Sequence, residues 1–476
     1  MTSTPTGDTP TGDTPVSTAG TEHRPSAFDP HRPPSREVLD DCVHCGFCLP
    51  TCPTYQLWGE EMDSPRGRIY LTSLAEQGEI GLDGALHEHI DACLGCMACV
   101  TSCPSGVRYD RLLEAVRPQL ERNVTRTRAD RLFRGAIFAL FPYRRRLRAA
   151  ALPGALYQRI RRSPRASRPA VRAAAKLPGR LAAGTMARLA AGTMARLAAV
   201  ASLLPPVRLR DAFARLPERT PAHGATRRRV ALLSGCVQDV FFHEVNLATV
   251  RVLAAEGCEV SVPRGQGCCG ALELHAGREP SALARARHTI REFERLDGHV
   301  DYMVANVAGC GSSMKEYGAL LADDPVWAER AAAFSARVRD VHEVLADLEP
   351  VAPRHEIRAR VVYHDACHLG HAQGVRAQPR AVLRTIPGVE LTEPAEPELC
   401  CGSAGIYNLI APEPAAELGA RKAANLRATR PDLVVTANPG CLLQIRRHLG
   451  TGPESVPLMH PVQLLDMSIR GTAPPT

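Results

Sequence analysis

The chain has 476 residues and a formal net charge of +8; 45% of its residues are hydrophobic, 4% are aromatic, and 17 are cysteines. This length and apolar content predict two or three domains with cores built mainly from Ala, Leu and Val. The longest apolar stretches, Gly135–Pro142 and Leu197–Pro206, are too short to cross a bilayer, so no membrane-spanning helix is predicted.

Residues 1–35 are predicted to form a disordered tail. From Thr4 to Pro15 they repeat Thr-Pro and Thr-Gly-Asp, and they contain no apolar segment of the kind that a secretory signal needs. We therefore expect a cytoplasmic protein, in which cysteines at fixed spacings favour metal ligation over disulfides.

Two cysteine runs with the same spacing lie between residues 36 and 120, which are predicted to form one domain. Each run reads C-x2-C-x2-C-x3-C-P. This is the spacing of bacterial ferredoxins, in which the fourth cysteine of each run binds the other cluster. We therefore predict two [4Fe–4S] clusters, the first bound by Cys42, Cys45, Cys48 and Cys103, and the second by Cys93, Cys96, Cys99 and Cys52. Zinc or free thiols are the alternative, but zinc favours paired C-x2-C knuckles.

The segment between the runs is predicted to be helical over Leu71–Glu76 and Leu82–Ala92. It is longer than a minimal ferredoxin hairpin, so we predict the helical type of two-cluster domain. Arg66 and Arg68 lie near the clusters in sequence and could neutralise thiolate charge. For the whole of Ser64–Tyr70 we favour an ordinary surface turn.

A basic segment separates this domain from the rest of the chain. Between Val116 and Arg229 there are 27 Lys and Arg against 4 Asp and Glu, while the remaining residues carry a net negative charge. We predict a basic, Arg/Ala-rich helical linker over residues 121–228. It lacks the interleaved aromatic side chains that stack on bases, so nucleic acid is not an expected partner, whereas contact with anionic lipid stays open.

The C-terminal part contains a tandem repeat that its cysteines mark. Each copy has a lone cysteine, a Cys-Cys-Gly triplet and a second lone cysteine, and matched cysteines are separated by a nearly constant offset. The two sets are Cys236, Cys268, Cys269 and Cys310 in the first copy, and Cys367, Cys400, Cys401 and Cys441 in the second. We predict one Cys-Cys-Gly domain over residues 229–350 and another over 351–476.

Both copies alternate short apolar strands with helices, which predicts α/β units with parallel sheets. The cysteines follow the strands predicted at Val230–Leu233, Glu259–Pro263, Tyr302–Val307, Arg360–Tyr363 and Leu433–Ala437. They therefore gather at the carboxyl ends of strands, where open α/β sheets bind ligands. Four thiols in each copy could hold a cluster or a zinc ion; a disulfide pair or inert thiols are the alternatives. The expected fold class is a multidomain α+β and α/β chain, a helical two-cluster ferredoxin domain followed by two α/β domains.

Three other features of the repeats are predicted to be structural. Gly265–Gly270 matches the dinucleotide-binding pattern G-x-G-x-x-G, but the second copy loses the first two glycines, so no such site is predicted. Cys258 has no counterpart and is predicted to be a core residue. His364, His368 and His371 could bind metal or relay protons, but the first copy has no such histidines, and we favour satisfied surface or core groups.

The chain resembles the iron–sulfur subunit of bacterial glycolate oxidase, within the wider group of Cys-Cys-Gly proteins. The resemblance is carried by Asp41–Pro53, Asp91–Pro104, His364–Leu369, Cys400–Asn408 and Thr436–Gln444, of which the last two are the more specific. It implies a subunit that takes electrons from a flavin-bearing partner oxidising glycolate to glyoxylate, or D-lactate to pyruvate, and passes them to a quinone-type acceptor. Such a subunit is not expected to oxidise the substrate alone. Peripheral contact with the inner face of the plasma membrane stays open.

One departure concerns the metal content of the repeats. Relatives in heterodisulfide reductases carry a further cysteine three residues after the last one, where Ser313 and Gln444 stand here. The resemblance therefore implies a smaller iron–sulfur centre or zinc in the repeats. The alternative function is a heterodisulfide reductase-like or lactate-utilisation subunit that acts at its own Cys-Cys-Gly centre.

Overall fold

The computed structural model describes residues 25–162, 207–296, 298–450 and 455–475. In these ranges the chain forms a helical N-terminal unit, a helical connection and two α/β units, so the predicted fold class is confirmed. The predicted tail and linker fall partly on residues 1–24 and 163–206, which lie outside the described residues. The domain boundaries proposed from the sequence stay predictions.

The N-terminal unit is built from short helices around one apolar core. Its helices are α1 Arg36–Asp40, α2 Pro53–Trp58, α3 Pro65–Glu76, α4 Ala85–Ala92, α5 Ala98–Thr101 and α6 Tyr109–Asn123, with a 3₁₀ turn at Glu61–Asp63. Leu86, Ile90, Val116 and Leu120 are almost completely buried in this core. Of the two helices predicted between the cysteine runs, Leu71–Glu76 is the second half of α3, and Leu82–Ala92 is helical from Ala85 onward as α4.

The surface turn predicted at Ser64–Tyr70 is wrong. Ser64 is the N-cap of α3, where its hydroxyl accepts a hydrogen bond from the Gly67 amide at 3.0 Å. Pro65 occupies the first helical position, where its missing N–H costs nothing. The segment is therefore a capped helix start, and it directs Arg68 into the interior.

The linker contains α7 Arg128–Leu140, α8 Arg144–Arg162 and α9 Leu209–Phe213 in its described parts. The apolar face of α7 packs Ile137 and Phe138 against Ile406 and Leu409 of the second repeat. Helix α8 packs Leu147 and Ala151 against the first repeat, beside two of its cysteines. The linker thus joins the ferredoxin-like unit to both repeats by apolar contact.

The first repeat forms a five-stranded sheet in the order β1-β3-β2-β4-β5, in which only β1 is antiparallel. Its strands are β1 Arg219–Thr220, β2 Arg228–Leu232, β3 Cys258–Ser261, β4 Tyr302–Ala305 and β5 Val338–Asp340. Its helices are α10 Val237–Phe241, α11 His243–Ala255, α12 Ala271–His275, α13 Glu279–Glu294, α14 Ala308–Lys315, α15 Tyr317–Leu320, α16 Ala328–Ala336 and α17 Val341–Ala346.

The second repeat forms a four-stranded, fully parallel sheet in the order β7-β6-β8-β9. Its strands are β6 Ala359–Tyr363, β7 Val389–Thr392, β8 Leu433–Val435 and β9 Leu458–Met459. Its helices are α18 Cys367–Gly370, α19 Ala377–Arg384, α20 Tyr407–Ile410, α21 Pro412–Ala428, α22 Pro439–Leu449 and α23 Pro461–Arg470.

The duplication is visible in the contacts of the two sheets. At the start of each central strand an aspartate accepts a backbone N–H bond at 2.7 Å, from Arg229 to Asp301 and from Arg360 to Asp432. Both sheets contribute to one apolar core that includes Cys258, so this cysteine is a core residue as predicted. Across the described ranges, no helix combines the length and apolar character that a bilayer crossing requires.

Candidate metal centres

The first predicted quartet lines a single cavity at the end of the N-terminal unit. Cys42, Cys45, Cys48 and Cys103 all face this cavity, and Cys99 also reaches its wall. The fourth cysteine of the second run therefore lies with the first three of the other run. This is the crosswise arrangement expected from the spacing.

The second predicted quartet lines a neighbouring cavity, deeper in the molecule. Its walls include Cys52, Cys93, Cys96 and Cys99. Three of these residues are buried, whereas Cys45 of the first quartet is exposed. The two cavities therefore differ in depth, one at the surface and one inside.

The two cysteine runs share an unusual backbone path that brings their thiols together. His44 and Gly46 in the first run have φ of 53° and 87°, and the matched residues Gly95 and Met97 have 62° and 64°. Left-handed residues at both positions reverse the direction of the chain twice within a short loop. As a result, the closely spaced cysteines converge on one point.

An arginine covers each of these loops. Arg66 donates to the His44 carbonyl at 3.0 Å, and Arg117 donates to the Cys93 carbonyl at 2.6 Å. A Cβ at Gly46 would lie only 2.9 Å from the Arg66 guanidinium. Both loops are thus held by a cation that also brings positive charge near the thiols, where thiolate ligands would need it.

Arg68 lies in the interior instead of on the predicted surface turn, and it is 1% exposed. Its guanidinium donates to the His89 carbonyl at 2.6 Å and to the Thr54 hydroxyl at 3.0 Å, and it pairs with the Asp63 carboxylate at 3.2 Å. It also lies 3.7 Å from the Cys52 sulfur. The geometry therefore supports the other interpretation of Arg68, in which its guanidinium pairs with thiolate charge.

These arginines change the acidity of the deep thiols. Burial alone would raise the pKa of Cys93, but the charges of Arg68 and Arg117 lower it below its ordinary value. Burial raises the pKa of Cys96 well above its ordinary value, and in the surface quartet it raises that of Cys48 to about 11. Metal binding at Cys48 and Cys96 therefore has to displace protons at neutral pH.

The first repeat gathers its four cysteines at the carboxyl ends of its strands. The sulfur atoms of Cys236 and Cys268 are 3.5 Å apart. The Cys269 side chain contacts both Cys268 and Cys310. This centre faces the linker, since Cys236 and Cys268 pack against Leu147 of α8.

The second repeat gathers its own four cysteines in the same order of contacts. Cys400 contacts Cys367 on one side and Cys401 on the other, and Cys401 contacts Cys441. The Asn438 amide donates to the Cys441 sulfur at 3.5 Å. All the cysteines of the chain lie in its described part, and none is paired in a disulfide. The disulfide alternative for the repeats therefore has no support.

A glycine after each Cys-Cys pair is required by close backbone contact. Gly270 and Gly402 have φ of 86° and 84°. A Cβ at Gly402 would lie 2.6 Å from the Ala415 carbonyl, and one at Gly270 would lie 3.3 Å from the Ala282 carbonyl. In both repeats a later helix, α13 in the first and α21 in the second, thus presses against the loop that carries the adjacent thiols, which requires a sharp turn at the glycine.

The second centre lies against the deep ferredoxin-like site. Cys96 shares a buried cluster with Cys400, and Cys367 packs against the same cluster. Nearby, the Thr101 hydroxyl and His371 Nδ1 are 2.7 Å apart. Two thiols of the first repeat lie instead in a buried cluster with linker residues. Among the described residues, this cluster contains no cysteine of the two N-terminal runs. The two repeats are therefore unequal neighbours of the N-terminal unit.

The expectation that the three histidines are satisfied is wrong for two of them. His364 Nδ1 and His368 Nε2 are buried without a hydrogen-bond partner among the described residues. The other ring nitrogen of His368 is 3.5 Å from the Cys367 sulfur. His371 is satisfied by Thr101 and by Arg376, which lies 2.8 Å from its Nδ1.

Three residues near the centres had no signal in the sequence. The rings of His275 in the first repeat and His368 in the second are in tilted contact, with centroids 4.8 Å apart. Lys422 is fully buried near Cys400 and Cys401, and its ammonium donates to the Glu396 carbonyl. Arg117 is positioned by its contact with the His275 carbonyl at 2.8 Å. Each of these contacts joins segments that are distant in the chain, so no local pattern marks them.

Ser313 and Gln444 stand at the two positions where relatives in heterodisulfide reductases carry a further cysteine, and neither side chain replaces its thiol. The Gln444 side chain accepts from the Asn408 amide at 3.1 Å and donates to the Ala415 carbonyl at 2.7 Å, so it braces α21 instead of facing the thiols. Ser313 is buried, and its hydroxyl has no partner among the described residues. Neither residue adds a thiolate, which agrees with a smaller centre in each repeat.

Comparison with known families agrees with this arrangement of sites. A family model described as a 4Fe-4S dicluster domain matches residues 38–107. A model described as a cysteine-rich domain matches residues 230–315 and again 361–446. A third, described as the linker region of the glycolate oxidase iron–sulfur subunit, matches residues 129–168.

The chain is 38% identical over 412 residues to the probable glycolate oxidase iron–sulfur subunit of Bacillus subtilis (strain 168), covering 86% of this chain and 88% of that protein. The chain belongs to the family of glycolate oxidase iron–sulfur subunits. The member from Escherichia coli (strain K12) is 35% identical over 85% of this chain and 89% of its own length. Lactate utilization protein A of Halalkalibacterium halodurans is 29% identical over 50% of this chain and 96% of its own length.

The family resemblance stated from the sequence is thus confirmed. As a member of this family, the chain is an iron–sulfur electron-transfer subunit with a 4Fe–4S dicluster domain and two Cys-Cys-Gly domains. The donor sets fit such groups, because thiolates at the observed positions are the ligands that iron–sulfur clusters use in proteins. Zinc, which also binds four thiolates, fits the repeats equally well.

Proposed function

We propose that the chain carries electrons from a flavin-bearing partner, which oxidises glycolate to glyoxylate, to a quinone-type acceptor. The observation that carries this proposal is the succession of thiol sites from the surface inward. A quartet at the surface is followed by a buried quartet, and the buried quartet touches the thiols of the second repeat through Cys96 and Cys400. A series of this kind suits a relay, because electrons can enter at one end and leave at the other.

The chemistry explains why a partner is needed. Oxidation of a 2-hydroxy acid removes two electrons together, whereas an iron–sulfur cluster takes up one electron at a time. A flavin accepts the pair and releases it singly, so we expect it on another subunit. D-lactate, oxidised to pyruvate, is a second substrate with the same chemistry, and the relationship to a lactate utilization protein supports its inclusion.

We assign the ligands as the sequence predicted. The surface cluster is held by Cys42, Cys45, Cys48 and Cys103, and the deep cluster by Cys93, Cys96, Cys99 and Cys52. The cysteines of the two repeats bind further centres, of iron–sulfur or zinc type. Arg66, Arg68 and Arg117 orient the loops and offset part of the thiolate charge.

Glycolate added anaerobically to the purified chain is expected to leave its oxidised clusters unreduced. When the flavin subunit of the same complex is added, we expect glycolate to bleach the visible absorption, because electrons then have a path from substrate to the clusters. The same mixture with D-lactate decides whether that acid is also used. Bleaching by glycolate without the partner would contradict the proposal, as would its failure with a flavin subunit that itself oxidises glycolate.

The surface quartet is surrounded by apolar side chains that suit a docking face for the flavin subunit. Val43 and Phe47, in the loop that carries the first three cysteines, are 68% and 64% exposed. Tyr70, whose ring centroid is 6.3 Å from that of His44, is also exposed. An apolar face directly over an electron-transfer site brings the two redox groups close while excluding water at the contact.

Phe47→Glu and Val43→Glu are each expected to weaken binding of the flavin subunit about tenfold or more, since a charge would be buried at the centre of the contact. Titration calorimetry and the rate of cluster reduction by the partner measure the effect. Val326→Glu is the matched control, because Val326 is 64% exposed but lies in the first repeat. Equal binding by all three variants would move the docking face elsewhere.

A second candidate function is reduction of a small acceptor at the chain's own Cys-Cys-Gly centre. One observation favours it. A cavity of about 240 Å³ lies where the N-terminal unit meets both repeats, and its lining residues include Met97, Ser313, His275, His368 and His371 but no cysteine. Histidines beside a redox centre could supply protons to such an acceptor. Turnover of a water-soluble quinone or a small disulfide by the chain alone, with an artificial electron donor, would support this function.

A further inference from the structure

The two repeats differ at the residue that follows the central strand of each sheet. In the first repeat Leu233 directly follows β2 and packs into an apolar cluster with Cys269. In the second repeat His364 directly follows β6 and occupies the matched position, at the same offset that relates Cys236 to Cys367. A group that can bind metal thus replaces an aliphatic side chain in one copy only.

His364 lies close to two thiols of the second centre. One nitrogen of its ring and the sulfur atoms of Cys401 and Cys441 are all within 4.8 Å of one another, and all three residues are buried. The His364 backbone amide donates to the Val435 carbonyl at 2.9 Å, which continues the pairing of β6 with β8 and fixes the position of the residue. The backbone that carries the ring is therefore held in place by the sheet.

One nitrogen of the His364 imidazole is buried without a hydrogen-bond partner among the described residues. This nitrogen is Nδ1, and the residue is 1% exposed. A buried polar nitrogen without a partner is costly, and a bound ion or an ordered water is what can complete such a group. The cationic Lys422 nearby donates to backbone carbonyls and cannot accept a bond from the ring. A metal bound to the two thiolates would lie within reach of the imidazole ring.

We infer that His364 is a metal ligand of the second repeat, which makes that centre a mixed site of imidazole nitrogen and thiolate sulfur completed by Cys401 and Cys441. The first repeat offers thiolates only. His364 can act in this way only if the second repeat holds a metal centre, which is part of the proposed function. Both iron–sulfur clusters and zinc accept such a mixed set of ligands.

The two repeats would then differ in redox character. When His364 is a ligand in place of one of the four thiols of this repeat, the cluster carries less negative charge than one held by four thiolates, and an added electron is then easier to accept. If iron–sulfur groups occupy both repeats, the second therefore has the more positive reduction potential. Because Cys400 and Cys367 of this repeat pack with Cys96, the more easily reduced centre is the one beside the deep ferredoxin-like site. Electrons arriving from that site would be retained there.

Pulsed EPR of the reduced full-length protein, with all histidines labelled with ¹⁵N, tests the inference directly. We expect a strongly coupled nitrogen in the native chain, its loss in His364→Leu, and its retention in His368→Leu. His368 is the matched control because it is also a histidine with a buried, unpartnered nitrogen close to a thiol, as far as the described residues show. No strongly coupled nitrogen in a protein whose second repeat holds iron, or loss of the signal in the His368 variant instead, would overturn the assignment.

The variant His364→Cys covers the case in which the leucine variant fails to fold or loses its metal. It keeps a ligand at the position, so metal content should be retained while the nitrogen coupling disappears and the potential of that centre becomes more negative. Should metal analysis find zinc in the second repeat, X-ray absorption at the zinc edge replaces EPR. A shell of sulfur and nitrogen is then expected for the native chain, and a shell of sulfur alone would overturn the inference.

If the second repeat binds no metal at all, the result differs from those expected for iron and for zinc. In that case metal analysis of native protein and of Cys401→Ala would give the same content. That outcome would remove the metal centre from the proposed function as well as the role of His364. In contrast, only the role of His364 would be overturned if Cys401→Ala held less metal than the native protein while His364→Leu and the native protein gave the same nitrogen spectrum.

Discussion

Replacing Cys45 and Cys103 together by alanine is expected to remove one cluster, whereas replacing Cys45 and Cys52 together is expected to remove both. Each single alanine variant should lose about four of the irons in the dicluster domain, because a cubane that lacks one of its four thiolates is not retained. Cys45 and Cys103 line the same cavity, and Cys52 lines the other. Once Cys45→Ala has removed the surface cluster, Cys103→Ala therefore has no further cluster to remove.

This pairing separates the crosswise arrangement from its simplest rival. If each cysteine run bound a cluster by itself, Cys45 and Cys52 would serve the same cluster, and the pair with Cys103 would be the one that loses both. Iron and acid-labile sulfide per chain, together with EPR of the reduced protein, distinguish the two results. Cys258→Ala is the matched control, since Cys258 is a buried cysteine of the first repeat that lies outside every proposed site. Its iron content should equal that of the native chain.

The cysteine runs can be recognised from the sequence because their chemistry depends on local spacing. The left-handed residues at His44, Gly46, Gly95 and Met97 follow from the same short intervals, since such a path lets neighbouring thiols converge. The repeat is equally visible, because a duplication at a constant offset does not depend on tertiary contacts. The five predicted strands, which rest on short apolar stretches, coincide with β2, β3, β4, β6 and β8 apart from small differences at their ends, whereas β1, β5, β7 and β9 are not predicted.

What could not be predicted depends on contacts between distant segments. The packing of Cys96 with Cys400 joins the N-terminal unit to the second repeat, and nothing near either residue in the sequence indicates it. The lack of a histidine at the matched position of the first repeat favours a satisfied His364, yet the fold brings its ring close to Cys401 and Cys441. A Ser-Pro-Arg-Gly-Arg segment is typical of turns and predicts an exposed Arg68, whereas Ser64 and Pro65 use the same residues to start a helix.

Arg68→Met is expected to destabilise the N-terminal unit by about 3–5 kcal/mol, the usual cost of leaving one partner of a buried ion pair without its counterion. The substitution keeps a long, apolar side chain at the position. It leaves the Asp63 carboxylate, which is 6% exposed, and the His89 carbonyl without their guanidinium donor. His89 Nδ1 lies 2.9 Å from Asp63 and can compensate only in part. Urea unfolding of the anaerobically purified protein measures the loss.

The same substitution is expected to make the deep cluster harder to reduce. The Arg68 guanidinium lies 3.7 Å from the Cys52 sulfur, and a unit charge at about 4 Å contributes roughly 4 kcal/mol at an effective dielectric constant of about 20. The irons are farther away than the sulfur, so we expect the potential to fall on the order of 100 mV, using about 59 mV per tenfold change for one electron. Redox titration followed by EPR measures this shift.

Arg66→Met, two positions earlier on the same helix, is the matched control for both effects. Arg66 pairs with Glu61 at 2.6 Å, but the two side chains are 28% and 49% exposed, and ion pairs of that kind contribute at most about 1 kcal/mol. Its guanidinium faces the His44 loop, so any change of potential should appear in the surface cluster and not in the deep one. Equal losses of stability in the two variants would contradict the stabilising role of the buried ion pair. If Arg68→Met left the potential of the deep cluster unchanged, burial of Arg68 beside Cys52 would have no redox role. Its value to the protein would then be only the bracing of Asp63 and the His89 carbonyl, since those contacts alone account for the loss of stability.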